Sequence, residues 1–197
     1  MEAGFEKLLC TLRMANHFLA QESPWDYNDG MGMASDVLRR LGQLVITEDV
    51  PQEWLAKLEA VLPSVEDTWD EKGRQLAEVS SLHEREIRRS LPQRLVMMFT
   101  RGSSSKAMKR FYLLHVAECR GGRILLALRR HKDRTGAWPA DLAAIKPYVS
   151  SETIIDPFSG KPFVYRVTGN TFLLYSVGPG GTDDGGIPPR DRVLWPR

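Results

Sequence analysis

Leu125-Leu126-Ala127-Leu128-Arg129-Arg130-His131-Lys132-Asp133-Arg134-Thr135-Gly136-Ala137-Trp138-Pro139 is the stretch on which the fold turns. Working back from it, Phe111, Leu114, Ile124, Leu125 and Leu128 are apolar at helical spacing, so a long helix is expected from about Ser105 to Arg134. Glycine followed by proline after a run of basic residues is a helix stop. Gly121-Gly122 lies in mid-helix, where each glycine costs about 1 kcal/mol relative to alanine, and marks a kink, a break or a close packing contact. Working forward, a short helix is expected at 141–145. Residues 162–167 and 171–177 flank Thr168-Gly169-Asn170 and read as a β-hairpin, with Val193-Leu194-Trp195 as a short third strand.

Upstream the pattern is helical. Phe5, Leu8, Leu9, Leu12, Phe18 and Leu19 share one face of a helix over 3–21, which Ser23-Pro24 and Asn28-Asp29-Gly30 are expected to break. Ser35 then reads as the N-cap of a second helix bearing Val37, Leu38, Leu41, Leu44 and Val45. A third helix has Pro51 in its first turn, with Trp54, Leu55, Leu58, Val61 and Leu62 on one face. Ser64 with Asp67 resembles a capping box for a fourth, continuing past Gly73 through Leu76, Val79 and Leu82 toward Ile87. Pro92 ends or bends that run, the apolar residues 95–99 are core, and 101–105 form a loop. The expected class is α+β, an N-terminal helical region (1–103) followed by a long helix packed on a small antiparallel sheet (104–197).

Charge is segregated along the chain. Residues 1–73 hold 6 basic and 14 acidic side chains, residues 74–134 hold 15 and 5, and residues 135–197 hold 6 and 6. The acidic and basic blocks are solvated helix faces, or they attract each other within the fold, or the basic segment 74–134 offers a positive surface to a membrane or an acidic partner. No nucleic-acid motif accompanies the basic segment, so nucleic acid is not an expected partner. Cys10 and Cys119 fit either one long-range disulfide or two buried free thiols. No apolar run reaches the roughly 18 residues that cross a bilayer, and residues 1–7 lack the apolar centre of a signal peptide.

Three clusters after the long helix carry a family resemblance. They are Gly136-Ala137-Trp138-Pro139, then Asp156-Pro157-Phe158-Ser159-Gly160-Lys161-Pro162-Phe163-Val164-Tyr165, then Tyr175-Ser176-Val177-Gly178-Pro179-Gly180-Gly181-Thr182-Asp183-Asp184-Gly185-Gly186. In this order they resemble the globular end of the major pseudopilins of type II secretion, a branch of the type IV pilin-like proteins. The resemblance covers residues 125–195 and none of the first 120 or so. It implies a helix-on-sheet head displayed outside the cytoplasm, in the periplasm or cell envelope, acting in assembly or partner binding rather than catalysis. Pseudopilins begin with a hydrophobic anchoring helix, so the chain is expected to be the soluble part of a longer, membrane-anchored protein with an unidentified protein partner.

The resemblance also implies a calcium loop, since the family wraps Ca2+ with aspartates and carbonyls near this position. Calcium takes six to eight oxygen ligands. Asp183, Asp184 and Asp191 are the candidate ligands, and Gly180 stands where the family usually has a carboxylate. Read as residues alone, the same aspartates are turn formers. Asp156 reads as a structural turn residue, and Trp138, Tyr165 and Tyr175 as packing between helix and sheet.

Catalytic motifs are scarce. The sequence has no G-x-S-x-G elbow, no G-x-G-x-x-G and no phosphate loop, and His17, His83, His115 and His131 are scattered without metal spacing. His115 and Cys119, at i and i+4, are expected to face each other as a packed histidine beside a thiol. An enzyme would have to draw on His115, Glu118 and His131, between the helical region and the sheet. The expected function is therefore non-enzymatic, with a calcium-binding interaction module and then an enzyme as alternatives.

Overall fold

The computed structural model describes residues 2–21, 23–63, 71, 73–76, 78, 79 and 105–196. It contains helices α1 (Glu2–Leu19), α2 (Pro24–Thr47), α3 (Gln52–Val61) and α4 (Ser105–Thr135), and strands β1 (Val164–Thr168), β2 (Thr171–Ser176) and β3 (Arg192–Trp195). Leu142–Ile145 forms a short 3-10 helix, capped by Asp141 through the Ala143 N–H at 2.8 Å. The class is α+β, as expected. The Ser64–Asp67 capping box, Leu82, Ile87, Pro92, residues 95–99 and the loop up to residue 104 lie outside the described residues. Gly73, Leu76 and Val79 are helical.

The expected break at Asn28-Asp29-Gly30 does not occur, and Ser35 is not a cap. α2 starts instead at Ser23, whose hydroxyl accepts the Asp26 N–H, with Pro24 in the first turn and Asp26 beside the positive end of the helix. Gly30 serves packing. A Cβ there would sit 3.0 Å from the Ala15 carbonyl oxygen, the Leu19 nitrogen and the Phe18 Cβ, so the missing side chain is what lets α2 run against α1. The pair Gly121-Gly122 resolves the same way. α4 runs unbroken through it, Gly121 lies under Leu194 of β3, and Gly122 lies against Leu38 and Leu62. On α2, Gly42 receives the Leu125 side chain of α4 in turn.

One apolar cluster joins Phe5, Leu9 and Leu12 of α1, Leu38, Leu41 and Val45 of α2, and Trp54, Leu55 and Leu58 of α3 to Cys119 and Leu126 of α4. Phe5 stacks on Trp54 with ring centres 4.5 Å apart. A second cluster sets Ile124 and Leu128 of α4 against Ile145, Phe163, Phe172, Leu174, Leu194 and Trp195. α4 thus presents a face to each cluster. Each fully buried leucine or phenylalanine contributes about 1.5–3 kcal/mol, so these faces dominate its placement over its two glycines.

α4 ends where the sequence says. Gly136 takes φ +82°, and its N–H closes on the Lys132 carbonyl at 2.7 Å, a C-terminal cap that suits glycine. Trp138 follows and packs edge-on to Phe172 (4.7 Å), donating its indole N–H to the Asn170 carbonyl in the hairpin turn. The Tyr165 hydroxyl donates to the Pro139 carbonyl. The sheet has order β1-β2-β3, all antiparallel, with Val164 opposite Tyr175 and Thr168 opposite Thr171. The β2–β3 pairing carries a register shift between Leu174 and Tyr175.

Candidate functional site

The turn at Asp156 and the loop after β2 are joined by one carboxylate. Asp156 is buried, and it accepts the Phe158 N–H (3.1 Å) and the Ser159 hydroxyl (3.3 Å) within its own turn. Across the fold it accepts the Ser176 hydroxyl (2.8 Å) and the Val177 N–H (3.0 Å). Ser176 in turn accepts the Gly178 N–H at 3.0 Å. Gly160 adopts φ +66° and closes the turn on the Asp156 carbonyl. Asp156 is therefore structural, as its turn chemistry suggested, and it fixes where the acidic loop leaves the sheet.

The loop's three aspartates do different things. Asp191, also buried, accepts the backbone N–H groups of Asp184 (3.1 Å), Gly186 (2.7 Å) and Ile187 (3.2 Å) on one carboxylate oxygen. This is an anion nest filled by the chain's own carboxylate. Asp183 accepts the Tyr175 hydroxyl at 2.7 Å and the Gly185 N–H at 2.9 Å, with Arg166 at 3.5 Å. Asp184 pairs with Arg190 at 3.3 Å. Gly180 is exposed and touches nothing through its missing side chain. Among the described residues, no three His, Cys, Asp or Glu side chains are grouped to hold a metal. Burial, then the bond to Asp183, pushes the Tyr175 hydroxyl up to about 12, and the same bond, with Gly185, holds Asp183 below its ordinary value.

His115 and Cys119 do face each other, with Sγ 3.5 Å from Nε2, and both are buried. Burial lowers the imidazole to about 4 against an opposing pull from Glu118, and raises the thiol. The pair is therefore a neutral imidazole beside a neutral thiol, the reverse of an activated cysteine. Glu118 is buried as well and accepts Arg192 of β3 through Nε (2.6 Å) and Nη2. His131 lies 16 residues further along the same helix, roughly 24 Å away at 1.5 Å per residue. The three residues an enzyme would have drawn on are not brought together. Both cysteines are free; Cys119 is buried as expected, but Cys10 is exposed, because it falls on the outer side of α1 beside buried Leu9.

The acidic and basic blocks do meet. Arg129 donates to the Val45 and Glu48 carbonyls at the end of α2, both at 2.6 Å, and to Asp133 at 2.7 Å. Arg123 donates to the Leu62 and Pro63 carbonyls at the end of α3. Arg130 pairs with Glu59 at 2.8 Å. Helix C-termini carry unsatisfied carbonyls and partial negative charge, so two arginines of α4 close two acidic-block helices. Arg120 reaches the other way, to Glu152 and the Ile155 carbonyl. These arginines of the basic segment are committed inside the fold, while Lys109 and Arg110 are exposed. The sequence held no sign of which arginines would cap.

Among known proteins, no family model, no curated protein and no solved structure matches this chain.

Proposed function

We propose that this chain is a non-enzymatic, extracytoplasmic structural or interaction protein whose C-terminal part is a pseudopilin-like head. The observation that supports it best is Asp156, whose carboxylate ties the Asp156-Pro157 turn to Ser176 and Val177 of the Tyr175-Ser176-Val177 strand. Asp156 thereby joins the second and third clusters that carry the resemblance, and the Trp138–Asn170 and Tyr165–Pro139 hydrogen bonds tie the first to the same hairpin. Val167 on β1 is exposed at that hairpin and is a natural contact point. A photo-crosslinking amino acid placed at Val167 in cells of the source organism tests the reading. Crosslinks to pilin-like or secretion-envelope proteins are expected. Recovery of cytoplasmic partners alone would contradict it.

A second reading is a calcium-ordered interaction loop. Asp183 and Asp184 favour it, being adjacent, partly exposed and flanked by Gly185-Gly186. Asp191 weighs against it, because three N–H donors face the oxygen that a cation would need. Thermal unfolding in millimolar calcium and in chelator separates the two readings, since a ligand bound only by the folded state raises the melting temperature. A calcium-dependent rise that is lost in Asp183→Asn would favour the second reading; equal melting would favour the first.

A further inference from the structure

A cavity of about 390 Å³ lies between the end of α3, the middle of α4 and the segment 148–153, within the range of small-ligand sites. Its charged lining is Arg120, Arg123 and Arg130 against Glu59 and Glu152. Arg120 is paired with Glu152 at 2.7 Å and Arg130 with Glu59 at 2.8 Å. Among the described residues, Arg123 donates to the Leu62 and Pro63 carbonyls and pairs with no carboxylate. Among the described residues, three cations against two anions leave one positive charge unbalanced, and it belongs to Arg123.

Tyr148 supplies an independent observation. It lines the same cavity, and its hydroxyl is buried with no hydrogen-bond partner among the described residues. A buried hydroxyl left unpaired is destabilising, so natural cores rarely keep one without a partner that comes and goes. A hydroxyl donor and a guanidinium with spare N–H groups together fit an anion's oxygens. Leu126, Ala127 and Val149 line the apolar part of the wall.

We propose that this cavity binds a small organic monocarboxylate, its carboxylate held by Arg123 and the Tyr148 hydroxyl and its short apolar body against Leu126 and Val149. The charge balance selects the class. A monoanion neutralises the cation left uncompensated among the described residues, whereas a dianion such as phosphate would place excess negative charge beside Glu59 and Glu152. The site is separate from the acidic loop and the hairpin and does not rest on the pseudopilin reading.

Isothermal titration of the full chain at fixed ionic strength tests it, with acetate, butyrate and benzoate as probes and inorganic phosphate and chloride as comparators. One saturable site for a carboxylate is expected, tightening from acetate to the larger probes. Tyr148→Phe should weaken it about tenfold or more, since it removes a donor to a charged oxygen. The same substitution should leave urea stability of the ligand-free protein unchanged or higher, because the hydroxyl it deletes has no partner. Three results would overturn the proposal: no saturable binding of any carboxylate at millimolar concentration, phosphate binding as tightly as the best carboxylate, or Tyr148→Phe binding like the parent.

Discussion

Two buried titratable residues carry the most testable chemistry at the residue scale. Asp156 accepts four hydrogen bonds, two of them across the fold, so Asp156→Ala should destabilise the protein by about 3 kcal/mol in urea unfolding. A loss under about 1 kcal/mol would mean the turn and the strand do not depend on it. His115 makes stability depend on pH. Its imidazole is held at about 4 in the fold by burial, against an ordinary 6.5 in the unfolded chain. Between those values the unfolded chain binds the extra proton, so stability rises with pH there. The contribution is fully present above about pH 6.5 and is lost as pH falls toward 4, on the order of 3 kcal/mol in all. Glu118 tempers the loss by favouring the charged ring. Urea unfolding at several pH values should show this slope in the parent and a flatter one in His115→Gln. The turn role of Asp156 was legible in Asp-Pro-x-x-Gly, because turn chemistry is local. Its bonds to Ser176 and Val177 were not, because nothing in a sequence tells a turn carboxylate which strand it will meet.

At the scale of elements the glycines are the lesson. Gly30, Gly121 and Gly122 all look like helix breakers, and all three lie inside uninterrupted helices. A glycine's propensity cost is about 1 kcal/mol, which a close helix crossing with buried leucines outweighs. The sequence shows the cost and hides the neighbour, so Asn28-Asp29-Gly30 reads as a break and Gly121-Gly122 stays ambiguous. The two adjacent glycines of α4 should also respond in opposite directions. At Gly121 a Cβ would lie 2.6 Å from a Leu194 methyl, so Gly121→Ala should cost about 1–3 kcal/mol through overpacking. At Gly122 the nearest atom is 3.4 Å away, and Gly122→Ala should stabilise by up to about 1 kcal/mol. Chemical denaturation of the two variants side by side checks the pair, and equal effects would contradict the packing account. The other elements were legible: strong periodicity marked α1, α3 and α4, while the turn at Thr168-Gly169-Asn170 marked the hairpin.

At the scale of the whole molecule, charge segregation in the sequence becomes attachment in the fold. Asymmetry alone leaves docking between the acidic and basic blocks as one option beside solvated faces, and much of the docking found is arginine on main-chain carbonyl, which no count of charges foretells. Arg129→Met should therefore cost about 3 kcal/mol, because it uncaps α2 and leaves Asp133 with only the Gln52 amide among the described residues, whereas Arg39→Ala, in an exposed pair with Asp36, should cost under about 0.5 kcal/mol. Raising salt from about 0.1 M to about 1 M shortens screening from about 10 Å to about 3 Å. Because the capping bonds are short and part-buried, the melting temperature should barely move. The pseudopilin-like head proposed from the clusters that Asp156 joins implies a place outside the cytoplasm. Cys10 makes that claim measurable, being the one exposed thiol of the two cysteines. Cells of the source organism with a permeabilised outer layer and an intact inner membrane are treated with a membrane-impermeant maleimide, with Cys10→Ala as control. Labelling of Cys10 before lysis is the result the account predicts; labelling only after lysis would contradict it.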